Sequence, residues 1–414
     1  MSKKSFSIVS LGCFRNNYDS LRLKKQLLEK GFNFKESSEK TDTIVINTCG
    51  FIDSAKEESL AVINEALDLK RKKKVKKIVV VGCLVERYRK ELESSFKEVD
   101  EWQGVFELKS FSAKLKETEN AYSDFLKICE GCLNRCSFCT IPDIKGPLKS
   151  RVISDILKEV RYLDKHKLKE LNLIGQDITS WGKDLKPKKD LVLLLKKILR
   201  TSKHIGWIRL IYTHPRHLTD SLIELIAKSP RICKYIDLPI QHINDKILRS
   251  MGRKTTKKDI VNLLSKIRKK IPNCAIRTSV IVGFPGEGEK EFKELLQFLK
   301  DIQFERLGAF TYSQEEGTPA YNFKPQVNQR TKLKRKSIVM NLQKQISAKL
   351  NQKFIGQELD VLVEEKRTGF FLGRTQFDAP EVDGVVFIKK NNLKIGDFYR
   401  AKIVDAYDYD LVAI

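Results

Sequence analysis

The first 115 residues alternate short apolar runs with amphipathic stretches. Three of the apolar runs are continuous, which predicts buried strands at residues 7–11, 43–46 and 77–81. The stretches at 20–30 and 53–70 have the apolar spacing of helices that pack on one side. Buried strands that alternate with helices are typical of a parallel sheet with right-handed crossovers.

A second series of the same kind runs from about residue 125 to residue 329. Apolar runs predict six strands, at residues 125–128, 170–174, 207–212, 235–238, 275–282 and 306–312. Amphipathic helices are predicted between them, for example at 154–166 and 255–270. Six such units are fewer than a closed eight-fold barrel needs, so they predict an open, partial (β/α)6 barrel.

The pattern changes again near the end of the chain. Residues 331–349 predict a basic connecting helix, and from residue 352 short alternating strands are separated by Gly, Asn and Asp. These strands predict a small β-barrel of roughly 60 residues. The expected fold class is therefore α/β, with an amino-terminal parallel-sheet domain at 1–115, a partial barrel at 116–345 and a β-barrel at 346–414.

Composition narrows the function classes. With 41% apolar and 32% charged residues, the 414-residue chain is globular rather than disordered. No stretch approaches the roughly 20 apolar residues that cross a bilayer, so we expect a cytoplasmic protein with no membrane partner. The net charge of +26 fits attraction to RNA or to an RNA-rich assembly such as the ribosome, and it fits equally a surface of solvated lysines.

The strongest local signal is a group of cysteines just after the first barrel strand. Cys132, Cys136 and Cys139 can each hold one iron of a 4Fe–4S cubane, which leaves the fourth iron open for a small molecule. The alternative is a zinc site in which Cys129 supplies a fourth ligand. We favour the cluster, because Cys129 lies at the strand end, where a packed small residue is expected.

Three further cysteines are scattered over about seventy residues of the amino-terminal domain. Cys13, Cys49 and Cys83 each follow one of the predicted parallel strands. Because the carboxyl ends of such strands meet at one crevice, we expect the three thiols to converge there. They predict a second cluster with one open iron, and the alternative is three buried small residues.

Polar and glycine residues are expected at the same end of the barrel as the cysteine loop. Gln176 follows the second barrel strand, and Gly283 and Gly286 follow the fifth. Glycine lets the main chain approach a ligand closely. Because these turns lie at the same rim as the cysteine loop, we expect Gln176 and the two glycines to line a cofactor pocket. His214 and His242 follow the third and fourth strands and are expected at the same cavity.

With these motifs the chain resembles the radical methylthiotransferase family over essentially its whole length. That family has an amino-terminal three-cysteine domain, a radical S-adenosylmethionine barrel and a carboxy-terminal TRAM barrel. Resemblance to its RimO branch is carried by SLGCFRNNYDS at 10–20, NTCGFIDSAKEESL at 47–60, DLPIQHIND at 237–245, EEGTP at 315–319 and DAPEVDG at 378–384. The sister branch, MiaB, is expected to have Ser-Gly-Ser at residues 242–244, where this chain has His-Ile-Asn. Lys145 departs from the arginine that is more usual in the family.

The resemblance implies two 4Fe–4S clusters and S-adenosylmethionine as cofactors. One S-adenosylmethionine methylates a sulfur held on the amino-terminal cluster, and a second is cleaved to a radical at the cluster of Cys132, Cys136 and Cys139. The radical takes hydrogen from the β-carbon of an aspartate in the twelfth small-subunit ribosomal protein, and the methylthio group is transferred there. The implied partners are that protein or the assembled small subunit, an electron donor such as flavodoxin or ferredoxin, and a sulfur source.

Two other functions stay open at this point. One is a MiaB-like tRNA adenosine methylthiotransferase, and the other is a noncatalytic iron–sulfur or zinc protein that binds RNA. The two sets of three cysteines disfavour the second of these. Residues 352–414 hold eleven acids and nine bases, a net of −2, which leaves +28 on the remainder. A terminal barrel that grips RNA should be basic, so its acidic, aromatic strip at 405–410 favours a basic protein partner.

Overall fold

The computed structural model describes residues 4–106 and 122–414. The predicted boundary between residues 115 and 116 lies outside these described residues. Three units follow one another along the chain, and the predicted fold class is confirmed: a parallel-sheet domain, a partial barrel and a small closed β-barrel. None of the described helices combines the length and apolar character that crossing a membrane requires.

The amino-terminal unit is a five-stranded parallel sheet in the order β2-β1-β3-β4-β5. Its elements are β1 (Ser5–Ser10), α1 (Phe14–Glu29), β2 (Asn33–Phe34), β3 (Thr43–Thr48), α2 (Asp53–Arg71), β4 (Lys77–Gly82), α3 (Cys83–Ser95) and β5 (Glu101–Gln103). The three predicted strands are confirmed to within two residues. Helix α1 begins six residues before its predicted start, because its first turns bury the polar residues Asn16 and Asp19 and so lack the apolar spacing.

The central unit is an open barrel of six parallel strands in two sheets. The strand orders are β6-β9-β10 and β11-β12-β13, and a parallel bridge between Ile208 and Ile232 joins the two sheets. The parallel strands are β6 (Ser123–Lys127), β9 (Glu170–Ile174), β10 (Trp207–Leu210), β11 (Tyr235–Asp237), β12 (Ala275–Val282) and β13 (Arg306–Thr311), and a two-stranded ribbon consists of β7 (Cys129–Glu130) and β8 (Lys149–Ser150). The helices are α4 (Ile141–Lys145), α5 (Ile153–Lys165), α6 (Leu191–Thr201), α7 (Asp220–Lys228), α8 (Asp245–Ser250), α9 (Lys257–Lys270) and α10 (Glu289–Ile302). Buried aliphatic side chains from these strands and helices form the main core.

The predicted connecting helix, α11 (Gln329–Asn351), leads into the carboxy-terminal barrel. That barrel closes in the order β14-β15-β16-β18-β17, from β14 (Glu358–Arg367), β15 (Phe370–Thr375), β16 (Val386–Ile388), β17 (Phe398–Ala406) and β18 (Leu411–Ala413). It packs against the first residues of the central strands, with Leu362 and Phe377 in one core with Trp207 and Tyr235. It therefore covers the amino ends of those strands.

The amino-terminal domain covers the opposite ends of the same strands. Phe14 stacks on Phe125, with ring centroids 5.0 Å apart. A buried charge cluster lies beside this stack and consists of Asp19, Lys127, Glu130 and Lys145. Lys127 Nζ lies 2.5 Å from Asp19 Oδ1, and Lys145 Nζ lies 2.9 Å from Glu130 Oε1. Two acids thus balance two bases inside the domain junction.

Candidate active site between the two cysteine sets

A cavity of about 520 Å³ opens at the carboxyl ends of the central strands. The amino-terminal domain contributes one wall, which includes Arg15, Phe51 and Ile52. The opposite wall belongs to the central barrel, including the loop between β7 and α4. Most of the lining is apolar, so a polar group brought into the cavity needs a specific partner.

Cys132, Cys136 and Cys139 all lie in this loop and line the cavity. The loop is held by main-chain hydrogen bonds, as from Cys139 N to Cys136 O at 3.1 Å. Asn134 donates to Cys132 Sγ from its main-chain N and its side-chain Nδ2, at 3.4 and 3.5 Å. Burial raises the pKa of the Cys139 thiol to about 12. A bound metal would favour the thiolate that burial disfavours.

The geometry of the thiols bears on the zinc alternative. One zinc ion about 2.3 Å from each sulfur would draw the sulfurs within roughly 4 Å of one another. In the described part of the chain, the group whose ligand atoms all lie within 4.8 Å contains Asp177, His214 and His217 but no cysteine. Cys129 is fully buried in the main core, as expected of a packed residue. A preformed zinc site is therefore not supported, whereas a cubane holds its thiolates on separate irons.

The amino-terminal cysteines converge behind the wall that carries Arg15. Cys13 follows β1, Cys49 follows β3, and Cys83 begins α3 directly after β4. A methyl group added at Gly12 would lie 2.9 Å from Cys49 Sγ, so only glycine lets the first loop approach the second cysteine. The thiols are close enough for the charges of Cys13 and Cys49 to affect the pKa of Cys83. The predicted convergence of these residues is what the structure shows.

Arg15 contacts the amino-terminal cysteine set and lines the cavity beside the barrel set. Its Nε donates to Cys13 Sγ at 3.4 Å. Burial alone raises the pKa of Cys13, but the Arg15 guanidinium and the main-chain N–H groups of Arg15 and Asn16 together outweigh it and bring the pKa down to about 7. Arg15 also lines the cavity together with the barrel set, where its charge offsets only a small part of the rise that burial gives the pKa of Cys139.

A hydrogen-bonded network supports the barrel set from behind. The Asp177 carboxylate accepts from Asn134 Nδ2 at 3.0 Å, Ser180 Oγ at 2.7 Å and His217 Nδ1 at 2.7 Å. Burial opposes ionisation of Asp177, but His217 and the other donors hold its pKa well below the ordinary value. Asp177 therefore holds Asn134 in position, and Asn134 in turn contacts Cys132. Nothing in the residue spacing indicated this chain of hydrogen bonds.

The predicted cofactor residues separate into two groups. Gln176 lines the cavity, whereas Gly283 and Gly286 are not among its lining residues; Gly283 lies under the side chain of Lys332 instead. The contact of these two glycines with a cofactor stays a prediction that the geometry does not support. His214 lines the cavity as expected, and His242 is fully buried away from it, 3.5 Å from Glu287.

Three buried polar atoms of cavity-wall residues lack a hydrogen-bond partner among the described residues. They are the acceptor Gln176 Oε1, the donor Arg253 Nε and the Tyr312 hydroxyl. Arg253 Nη1 lies 3.9 Å from Cys136 Sγ, so its side chain reaches the barrel set. An acceptor and a cationic donor beside three thiols suit the ammonium and carboxylate of S-adenosylmethionine. The residues present therefore fit this cofactor.

Three protein-family models match the chain in order. Residues 5–104 match the uncharacterized protein family UPF0004, residues 126–299 the radical SAM superfamily and residues 355–414 a TRAM domain. Each match falls within one of the three structural units. The order agrees with the architecture that the resemblance implied.

Full-length relatives decide the family. The ribosomal protein uS12 methylthiotransferase RimO of Thermoanaerobacter sp. (strain X514) is 43% identical, and the match covers 99% of each chain. This chain belongs to the RimO family. RimO of Clostridioides difficile (strain 630) is 39% identical over 98% of this chain and 97% of its own. RimO of Christiangramia forsetii is 41% identical over 99% of this chain and 94% of its own. The MiaB alternative is not favoured.

Solved structures confirm the fold independently. The radical S-adenosylmethionine methyltransferase TsrM from Kitasatospora setae, with cobalamin and a [4Fe-4S] cluster bound, matches with a TM-score of 0.54. It is 11% identical, and the match covers 89% of this chain and 77% of TsrM. The cobalamin-dependent enzyme OxsB matches with a TM-score of 0.50 at 12% identity, over 82% of this chain and 56% of OxsB. At such identities the likeness concerns the fold alone.

Proposed function

We propose that this RimO-family chain methylthiolates the β-carbon of an aspartate in ribosomal protein uS12. Support comes from the names of its full-length relatives, from the barrel cysteines that line the cavity, and from the amino-terminal cysteines that converge behind its wall at Arg15. The observation that carries the proposal is the position of Arg15, which lines the cavity with the barrel cysteines and donates from Nε to Cys13 Sγ at 3.4 Å. One side chain thus joins the amino-terminal set to the cavity that the barrel set lines, so groups held by the two sets can act on one substrate atom in turn.

The cofactors are two 4Fe–4S clusters and S-adenosylmethionine. We assign the first cluster to Cys132, Cys136 and Cys139 and the second to Cys13, Cys49 and Cys83. When bound, these groups supply the reducing electron, the hydrogen-abstracting radical and the methylthio group. The chain's own residues would hold and orient them: Gln176 Oε1 would accept from the ammonium of S-adenosylmethionine, and Arg253 would donate to its carboxylate.

The remaining parts of the proposal follow the family resemblance. Domain boundaries at 1–115, 116–345 and 346–414 enclose all three family matches. The substrate is uS12, free or in the assembled small subunit, and the enzyme works in the cytoplasm. A flavodoxin or ferredoxin supplies electrons, and a separate source supplies sulfur.

The direct test is a reconstituted reaction. Anaerobically loaded protein should hold about eight irons per chain, four for each cubane. With S-adenosylmethionine, reductant and sulfide, mass spectrometry of uS12 should show one added methylthio group on an aspartate. Transfer RNA from the same organism serves as the control substrate and should stay unmodified. Modified tRNA with unmodified uS12 would overturn the proposal.

A further inference from the structure

The cavity must accept the negative charge of the target, given that the proposed function is correct. An aspartate presents its carboxylate one bond away from the β-carbon that reacts. A carboxylate that leaves water for a mostly apolar cavity is strongly disfavoured unless a cation meets it. The wall should therefore contain a cation with free hydrogen-bond donors.

The described wall offers three cations, Arg15, Arg253 and Lys336. Lys336 is exposed on α11, outside the buried part of the cavity. Arg253 belongs to the barrel side, since its Nη2 donates to Pro239 O at 2.5 Å and its Nη1 lies beside the Cys136 thiol. Arg15 is the cation on the side of the amino-terminal cysteines, where the methylthio group must reach the β-carbon.

Arg15 has donors to spare. Its Nε is used by Cys13, but within the described ranges 4–106 and 122–414 neither terminal nitrogen makes a hydrogen bond. The guanidinium carbon lies 4.7 Å from the ring centroid of Tyr212, so the ring supports one face of the plane. The two terminal nitrogens form a fork whose spacing matches the two oxygens of a carboxylate.

The ring under Arg15 is held in place at a conformational cost. Tyr212 has φ of +66°, a left-handed conformation that is unfavourable for a bulky residue. Its N–H donates to Asp237 Oδ2 at 2.9 Å, and its carbonyl accepts from Ile178 N at 3.0 Å. A strained main-chain conformation that hydrogen bonds hold in place is often found at functional sites. Here it positions the Tyr212 ring that contacts the Arg15 guanidinium.

We propose that Arg15 binds the carboxylate of the target aspartate through its two terminal nitrogens. Arg253 then binds the carboxylate of the cofactor on the barrel side, and Arg15 binds the carboxylate of the substrate on the amino-terminal side. Bound in this way, the β-carbon lies between the two cysteine sets. Arg15 is thereby the residue that selects aspartate over asparagine.

The test compares uS12 with a uS12 variant in which the target aspartate is asparagine. The wild-type enzyme should prefer aspartate in kcat/KM by about ten- to a hundredfold, the range of a charge-assisted pair. Arg15→Gln should bring the ratio close to one. Arg15→Lys keeps the charge without the fork and should give an intermediate ratio, which covers the case in which Arg15→Gln fails to load its iron. Lys336→Gln is the matched control and should keep the wild-type ratio.

Different failures point to different errors. If Arg15→Gln and Arg15→Lys lower the modification of both substrates equally, with the ratio unchanged, Arg15 serves the cluster rather than the substrate and the inference is wrong. If the wild-type enzyme leaves uS12 unmodified, the proposed function itself is wrong. Binding of the two uS12 forms to wild-type protein without S-adenosylmethionine gives a readout separate from activity, and aspartate should bind more tightly there as well.

Discussion

The two cysteine sets come to the cavity by different routes, because the barrel set lines it whereas the amino-terminal set lies behind the wall that carries Arg15. The barrel set lies within one loop, residues 132–139, whose main chain is bonded within the loop and to other segments of the central barrel, as from Ser137 N to Met251 O. The amino-terminal set comes from the ends of three strands, and it lies close to the cavity only because its domain is docked on the barrel. The first set should therefore tolerate distant changes, whereas the second should depend on sheet register and on the domain junction.

The largest effect is expected when each cysteine set is replaced in turn, because each replacement should stop a different reaction. Replacing Cys132, Cys136 and Cys139 with Ala should abolish 5′-deoxyadenosine formation, because no thiolates remain for that cluster. Replacing Cys13, Cys49 and Cys83 should leave this cleavage within a few-fold of wild type and stop methylthio transfer. Both products are measured by chromatography and mass spectrometry. Normal transfer by the second variant would mean that the amino-terminal thiols hold no functional cluster.

The next effect concerns the domain junction. Asp19→Asn leaves the buried charge cluster with two bases and one acid, a loss that typically costs about 3–5 kcal/mol. We expect methylthio transfer to fall at least about tenfold more than 5′-deoxyadenosine formation, because small displacements between reacting groups are expensive.

A matched control lies on the same domain. Glu98 is exposed and pairs with Arg71 at 2.6 Å. Glu98→Gln should change the free energy of unfolding by less than about 1 kcal/mol and leave both reactions unchanged. Equal losses of the two reactions in Asp19→Asn would show that the junction does not serve the amino-terminal set in particular.

A smaller effect distinguishes the thiols of metal-free protein by pH. The pKa of Cys13 is lowered to about 7, mainly by Arg15 against the effect of burial, and burial raises that of Cys83 to about 12. Since a lowered pKa means thiolate at lower pH, Cys13 should be alkylated readily from about pH 7 upward and Cys83 should not. Arg15→Gln should move the Cys13 profile to higher pH. Peptide mapping after timed alkylation measures both, and identical profiles for the two thiols would contradict the prediction.

The smallest effect is expected at the far end of the molecule. Asp408 in the acidic strip is about half exposed and pairs with Lys344 at 3.1 Å, whereas Asp410 is tied to Val385 N at 2.9 Å. Asp408→Lys should therefore weaken uS12 binding only a few-fold, mainly through a slower and more salt-sensitive association. Stopped-flow binding at two salt concentrations measures this. Tighter binding to uS12 would show that the strip does not face a basic partner.

Much of the fold was predictable because its signals are local. Continuous apolar runs marked the central strands, and the predicted range 275–282 is the observed β12. The cysteine motifs were equally readable, because a shared position after parallel strands implies a shared crevice. The two-residue strand β2 and the short β5 were missed, since such brief pairings leave no periodic pattern.

The partners of the cysteines were not predictable, because they act across domains. Arg15 was visible two residues after Cys13, but its place over Tyr212 depends on a contact between residues nearly two hundred positions apart. Lys145 looked like a departure from the family. The structure shows that it completes the buried charge cluster, with contacts to both Glu130 and Asp19. Sequence spacing carries no information about such pairings.

The contact between the central barrel and the carboxy-terminal barrel has a consequence for genetic experiments. Glu170 is fully buried there and is bonded by Arg209 of the central barrel and by Arg374 of the carboxy-terminal barrel, at 2.8 and 2.6 Å. A chain that ends before residue 352 would lose Arg374 and expose the apolar ends of β10 and β11. The phenotype of such a truncation in cells would reflect misfolding and degradation of the chain, whichever partner the carboxy-terminal barrel binds. The binding role of the carboxy-terminal barrel can therefore be assigned only by substitutions on its outward surface.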